Sequence, residues 1–357
     1  MYYVVQSDRA GRTSANISHK QGPPFFSITT AMSKGKGRQA GPMVLLSPMP
    51  NPSAGSANPS ASLSSLWGYI LPALNHIVRS PTTAIDKAPV IDISYHMGIH
   101  TATYNYFTMQ VEAIGTSRER ERLAPSGTDL YEHIDRYYAE LARELLLGAP
   151  EDDAALVHYV VPCFSRYAAG AHAVNRLLNY VNRHYVKRAV DEDRGWLTLS
   201  DIFDAVAKSI HDGDTRDKIS RKLRERRAEE LRKWGWDEGG SAEQLAQAEA
   251  CAEAASPLDR VVPLSALALR RFRTEFMEPL LAVPKSRGKK RRLAANGNAP
   301  KGRLARAIKE LLEKQDADVE ERKKLVAELA NALRVIGVRH GHPLRKKLEK
   351  YSITATV

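Results

Sequence analysis

Two groups of side chains in this chain have the types and spacing to do chemistry, and that chemistry is recognition. Along 168–188, AAGAHAVNRLLNYVNRHYVKR, the residues Arg176, Tyr180, Arg183 and Lys187 fall at 0, 4, 7 and 11. On a helix they project from one side. Tyrosine and arginine dominate the energetics of protein interfaces, so one ring flanked by three cations is a candidate contact surface. The same spacing also fits a solvated basic face. In MGIHTATYNYFT, His100, Thr103, Tyr104 and Phe107 fall at 0, 3, 4 and 7. That is more aromatic surface than one helix needs for packing, although a plain core face has the same pattern.

Catalytic chemistry lacks its usual carriers. No G-x-S-x-G, Walker A or H-E-x-x-H run occurs, which leaves acyl transfer, nucleotide and zincin chemistry without their motifs. His96, His100 and His133 are not spaced with acidic partners as metal ligands, and His340 and His342 flank Gly341 in an expected loop. Cys163 lies on an apolar stripe and reads as a core thiol rather than a nucleophile. No catalytic residue, metal or cofactor is expected.

These groups must be positioned by helices. Segment 1–64 is dominated by Ser, Pro, Gly, Ala and Asn and is expected to be disordered, because it cannot bury enough apolar area to offset its ordering entropy. A basic, Gly-containing run, KSRGKKRRLAANGNAPKGR, makes 285–303 a linker. Between them, Trp67, Ile70, Leu71, Leu74 and Val78 share one helix face. Pro72 predicts a kink there, or a helix that starts near Leu71. Leu130 to Leu145 repeat the pattern, with Thr128 or Asp129 as N-cap. Leu156, Tyr159, Val160, Cys163 and Tyr167 form a third stripe interrupted by Pro162, and Val174 to Tyr185 a fourth. Ile202, Phe203, Val206 and Ile210 suggest a fifth, 217–234 a very basic sixth, and Leu264 to Leu280 a last helix. No strand alternation of comparable length is present, so the expected fold is all-α, with antiparallel neighbours across short loops. After the linker, Leu304 to Leu312 and Leu325 to Ile336 predict two amphipathic helices, either a hairpin on the bundle or a partner-binding helix, with Gly337 as C-cap.

Composition bounds the setting. The 357 residues carry a formal charge of +12, which favours acidic partners. Two cysteines exclude a disulfide-rich secreted scaffold or a four-cysteine zinc site. No apolar run is long enough to span a membrane and no signal peptide is evident, so a reducing compartment, cytoplasmic or nuclear, is expected.

YVNRHYVKR (Tyr180 to Arg188), followed by Asp191-Glu192, resembles the cullin signature Y-L-N-R-H-W-V-x-R and its D-E-G continuation. Phe164 and Tyr167 are similar to the upstream W-x-x-Y. ISY at 93–95 with MGIHTATYNYFT resembles V-S-Y and M-x-L-Y-T-x-V-Y-N-Y-C-T, SLWGYILPALNHIV the W-x-x-L-x-x-G-I-x-x-I opening, and RRFRTEFMEPLLA the start of a second cullin repeat. The likeness spans about 66–283 and is weakest at 197–260.

The resemblance implies a cullin-repeat-like helical bundle over 65–256, the start of a second repeat at 257–284, and a C-terminal helical segment at 304–357. It implies a non-catalytic scaffold of a ubiquitin ligase. Its second and fifth helices would bind a SKP-type adaptor, or a BTB or elongin-like one, and through it an F-box protein or another substrate receptor. Mapped here, the second helix offers His100, Thr103, Tyr104 and Phe107, and the fifth offers Tyr180 and Arg183 with Arg176 and Asn182 nearby. No I-V-R-I-M-K-like run or C-terminal cullin homology region is recognisable, so the RING-box protein is not an expected partner. A second reading rests on GKKRR at 288–292 and KISRKLRERRAEELRK at 218–233: a basic nuclear or nucleic-acid-associated helical protein.

Overall fold

The computed structural model describes residues 58–80, 86–116, 126–211, 213–283, 302–313 and 319–354. Of the tail expected to be disordered, 1–64, residues 1–57 lie outside the described residues, as does the GKKRR run, whereas 58–64 are ordered: Ser60 is buried and Leu63 already opens the first helix. Those described form twelve helices and no strand, an all-α fold.

The first, α1 (Leu63–Arg79), starts at Ser62, whose Oγ accepts the Ser65 N–H at 3.1 Å. It runs through Pro72 on its exposed side, so the helix begins well before Leu71. The next helix, α2 (Ile93–Thr116), leads to α3 (Thr128–Leu147), and the cap of α3 is Gly127 rather than Thr128 or Asp129. Gly127 has φ +88°, and a Cβ built there would overlap the Phe107 ring. Only glycine combines that backbone with that approach.

Pro162 does not divide its helix. The third stripe lies within α4 (Asp153–Leu177), which Asp152 caps through the Ala154 N–H and which also carries Val174 and Leu177 of the fourth. The division comes at Leu178, with φ −100° and ψ 28°. A new helix, α5, covers 179–191 and contains a π turn at Asn182–Val186. The 168–188 stretch is therefore two helices rather than one.

Three helices follow with little buried surface: α6 (Leu199–Ala207), α7 (Arg216–Arg232) and α8 (Ala242–Ala255). Thr198 with Asp201 and Ser241 with Gln244 make reciprocal capping boxes at the starts of α6 and α8. On α6, Ile202 and Val206 are buried, but Phe203, expected inside, is 46% exposed. On α7 only Ala228 and Leu231 are buried.

The ninth helix, α9, spans 264–281 with a π turn at Phe272–Met277. The C-terminal part holds three helices where spacing outlines two: α10 (Arg303–Glu313), α11 (Val319–Val335) and α12 (Pro343–Thr354). They pack on the bundle rather than standing apart as a partner-binding helix. Leu304, Ile308, Val326, Leu329, Leu333, Ile336 and Leu348 share one core with Leu66, Ile70, Leu156 and Val174. At its centre, α4 packs against α1, α9, α10 and α11. Each fully buried leucine or isoleucine there stabilises the fold by about 2 kcal/mol relative to exposure.

Gly337 ends α11 as expected, with φ +83°. Its N–H bonds the Arg334 carbonyl at 3.0 Å and the Val338 N–H bonds Leu333 at 2.9 Å, the paired bonds of a Schellman turn. A Cβ on Gly337 would fall 2.6 Å from the Ala255 nitrogen, so the turn sits directly on the end of α8.

Candidate docking surface

Tyr180, in the first turn of α5, fills the gap between α5 and α2. Three α2 rings meet it edge-on: His100 at 5.8 Å between centroids, Tyr104 at 5.7 Å and Phe107 at 5.3 Å. His184 stacks on it at 4.0 Å. Edge-on and offset contacts of this kind are favourable beyond the area they bury. The two faces picked out by spacing are thus joined through one ring.

The four α2 positions divide into floor and surface. Phe107 is buried, and Thr103 is buried with Oγ1 donating to the Ile99 carbonyl at 2.8 Å. His100 and Tyr104 face solvent, Tyr104 at 48% exposure. Burial raises the Tyr180 phenol above its ordinary value, so it stays protonated. The His184 imidazole is held low, first by burial and then by Arg183 and Arg188, which favours the neutral ring near pH 7.

Around the rings, Arg176 in the last turn of α4 and Arg183 and Lys187 on α5 are exposed, and none has a carboxylate partner among the described residues. Asn182 is placed differently. Its Oδ1 accepts the Leu264 N–H at 3.0 Å, and its Nδ2 donates to Asn175 Oδ1 at 2.9 Å. Asn175 Oδ1 in turn accepts the Ser265 N–H at 3.2 Å. The pair satisfies the first amides of α9 and does not look outward.

Two residues of this surface escaped the sequence reading. Ile93 is 76% exposed and Met97 58%. With His100 and Tyr104 they fall at 0, 4, 7 and 11 and continue the apolar stripe along the outer side of α2. The helical spacing that marks Tyr104 also marks them.

The platform is braced from below. Gln110 on α2 accepts the Gly127 N–H at 2.8 Å and donates to Asp129 and to the Tyr106 hydroxyl, both at 2.9 Å. Tyr106 donates to Asp129, and Arg188 on α5 donates to the Ser126 carbonyl at 2.6 Å. At the other end of α2, Tyr95 donates to the Tyr69 carbonyl of α1. A surface fixed in this way loses little entropy when a partner seats.

The other candidates have plainer places. Burial pushes the Cys163 thiol up to about 12, too high for a thiolate at neutral pH, and Cys251 is buried. Among the described residues, no group of three or more His, Cys, Asp and Glu side chains is placed to hold a metal ion. Likewise, no helix among them is long and apolar enough to cross a membrane. On the basic helix α7, most cations are taken up by acids. Arg221 pairs with Glu225, Arg226 with Glu229 and Glu230, and Arg227 with Glu249; Lys218 and Lys222 both reach Asp214. That is a solvated face laced with ion pairs. Compared with known proteins, the chain matches no family model, no curated protein and no solved structure.

Proposed function

We propose that the chain is a non-catalytic, cullin-like scaffold that docks an adaptor protein of the SKP, BTB or elongin type on the joined outer face of α2 and α5. The observation that carries this reading is the meeting of His100, Tyr104 and Phe107 on Tyr180, beside the exposed Ile93 and Met97. An exposed apolar and aromatic stripe of this kind marks an interaction site. The unpartnered Arg176, Arg183 and Lys187 at its margin suit a partner with an apolar groove and an acidic rim. Rim charges of that kind act mainly on the association rate.

In this reading the adaptor brings an F-box protein or another substrate receptor, and the scaffold serves ubiquitin-dependent protein breakdown in the cytoplasm or nucleus. The RING-box protein is not recruited by this chain. The test is binding of the full chain to a panel of purified SKP-type, BTB and elongin-type adaptors. One adaptor should bind, and the double variant Tyr104→Ala/Tyr180→Ala should lose it, because truncating an interface aromatic costs about 2 kcal/mol or more. Helical content should persist by circular dichroism. If the variant binds as wild type does, or no adaptor on the panel binds, the assignment fails.

A further inference from the structure

A cleft of about 880 Å³ opens between the turn that joins α7 to α8 and the turn that joins α11 to α12. None of its walls belongs to α2 or α5. Its volume falls within the range of small-molecule sites.

The cations on its walls are unevenly matched. Arg232 meets Glu238 at 3.1 Å, Lys233 meets Glu230 at 2.7 Å and Arg345 meets Glu349 at 2.8 Å. Arg334 donates to neutral amide oxygens, Gln247 at 3.4 Å and Asn331 at 3.0 Å. Arg339 is exposed, and its guanidinium has no partner among the described residues. Asp237 is the wall carboxylate without a cation among the described residues, so the charge unmatched there comprises two guanidiniums against one carboxylate. Both guanidiniums flank the Schellman turn at Gly337, whose backbone is fixed against Ala255. Trp234 lines this cleft and also a neighbouring cavity of about 380 Å³, which Arg339 shares.

Guanidiniums with open donors match phosphate oxygens in paired, planar geometry. An indole beside them supplies a surface on which any base can stack. We propose that this cleft binds a nucleoside phosphate, with the phosphate on Arg334 and Arg339 and the base against Trp234. The proposal is independent of the adaptor surface, since it uses other helices.

The test titrates the full chain with AMP, adenosine, inorganic phosphate and a 5′-phosphorylated single-stranded DNA oligonucleotide, read by tryptophan fluorescence and calorimetry. AMP should quench saturably and bind at least about tenfold more tightly than adenosine, since charge-assisted bonds to the phosphate are at stake. The variant R334Q/R339Q should weaken AMP by at least about tenfold, with unchanged helical content and unchanged adaptor binding. Oligonucleotide binding tighter than AMP assigns the phosphate to a nucleic-acid end, and the reverse order assigns it to a free nucleotide. Adenosine binding as well as AMP overturns the proposal, as does R334Q/R339Q binding AMP like wild type. Should that variant misfold, a salt series on the wild-type chain decides: AMP affinity that does not fall with salt also overturns it.

Discussion

At the residue scale, helical spacing identifies a face but not which of its members look outward. His100, Thr103, Tyr104 and Phe107 share a side of α2, yet Thr103 lies inside because Oγ1 gives its proton to the Ile99 carbonyl and no longer needs water. Gly127 shows the opposite difficulty. Nothing beside it in sequence demands glycine; the demand comes from its left-handed backbone together with the Phe107 ring on another helix. Gly127→Ala should cost about 2–3 kcal/mol through the combined left-handed backbone and overlap, read as a lower midpoint in urea. Glu253 offers a test by pH. Its carboxyl is raised from 4.5 to about 8, first by burial and then by Glu249 one turn away. The folded state therefore holds a proton that the unfolded chain releases between those values, and stability falls as pH rises through that window. Glu253→Gln should flatten the fall and raise the melting temperature at pH 8 by several degrees; an unchanged profile would exclude a buried, protonated carboxyl.

At the element scale, apolar periodicity located α1, α3 and α4 but not where the helices stop. Proline is the strongest breaker in sequence, and both Pro72 and Pro162 sit inside continuous helices. The break at Leu178 carries no local marker. It is set by what lies beyond: Asn175 and Asn182 turn toward the first amides of α9, and α5 accommodates this with a π turn. Asn182→Ala should remove that cap and the Asn175 contact together, destabilising the fold by about 1–2 kcal/mol. Because the side chain does not reach the proposed docking face, the variant should leave affinity for the proposed adaptor unchanged in calorimetry at a temperature where it is folded.

At the scale of the whole molecule, the all-α class was legible because period 3.6 recurs and period 2 does not. Whether the C-terminal helices pack on the bundle or offer a partner-binding helix was not. Composition separates 304–357 behind a basic, Gly-containing run, whereas the contacts of α4 extend to α10 and α11. A chain ended after residue 283 should thus uncover apolar surface of α4, and show dye binding to it with loss of the cooperative thermal transition. If the shortened chain melts cooperatively at the wild-type temperature, the C-terminal helices contribute no core.

The hydrogen bonds beneath the proposed docking platform have a consequence for communication through the bundle. The amide of Gly127 is held by Gln110 of α2, and the preceding carbonyl is held by Arg188 of α5. Any ligand that stiffens α2 and α5 also restrains the loop that opens α3. Deuterium uptake at Gly127 should slow when the outer face is occupied, a remote echo of binding measured at an atom no visitor touches.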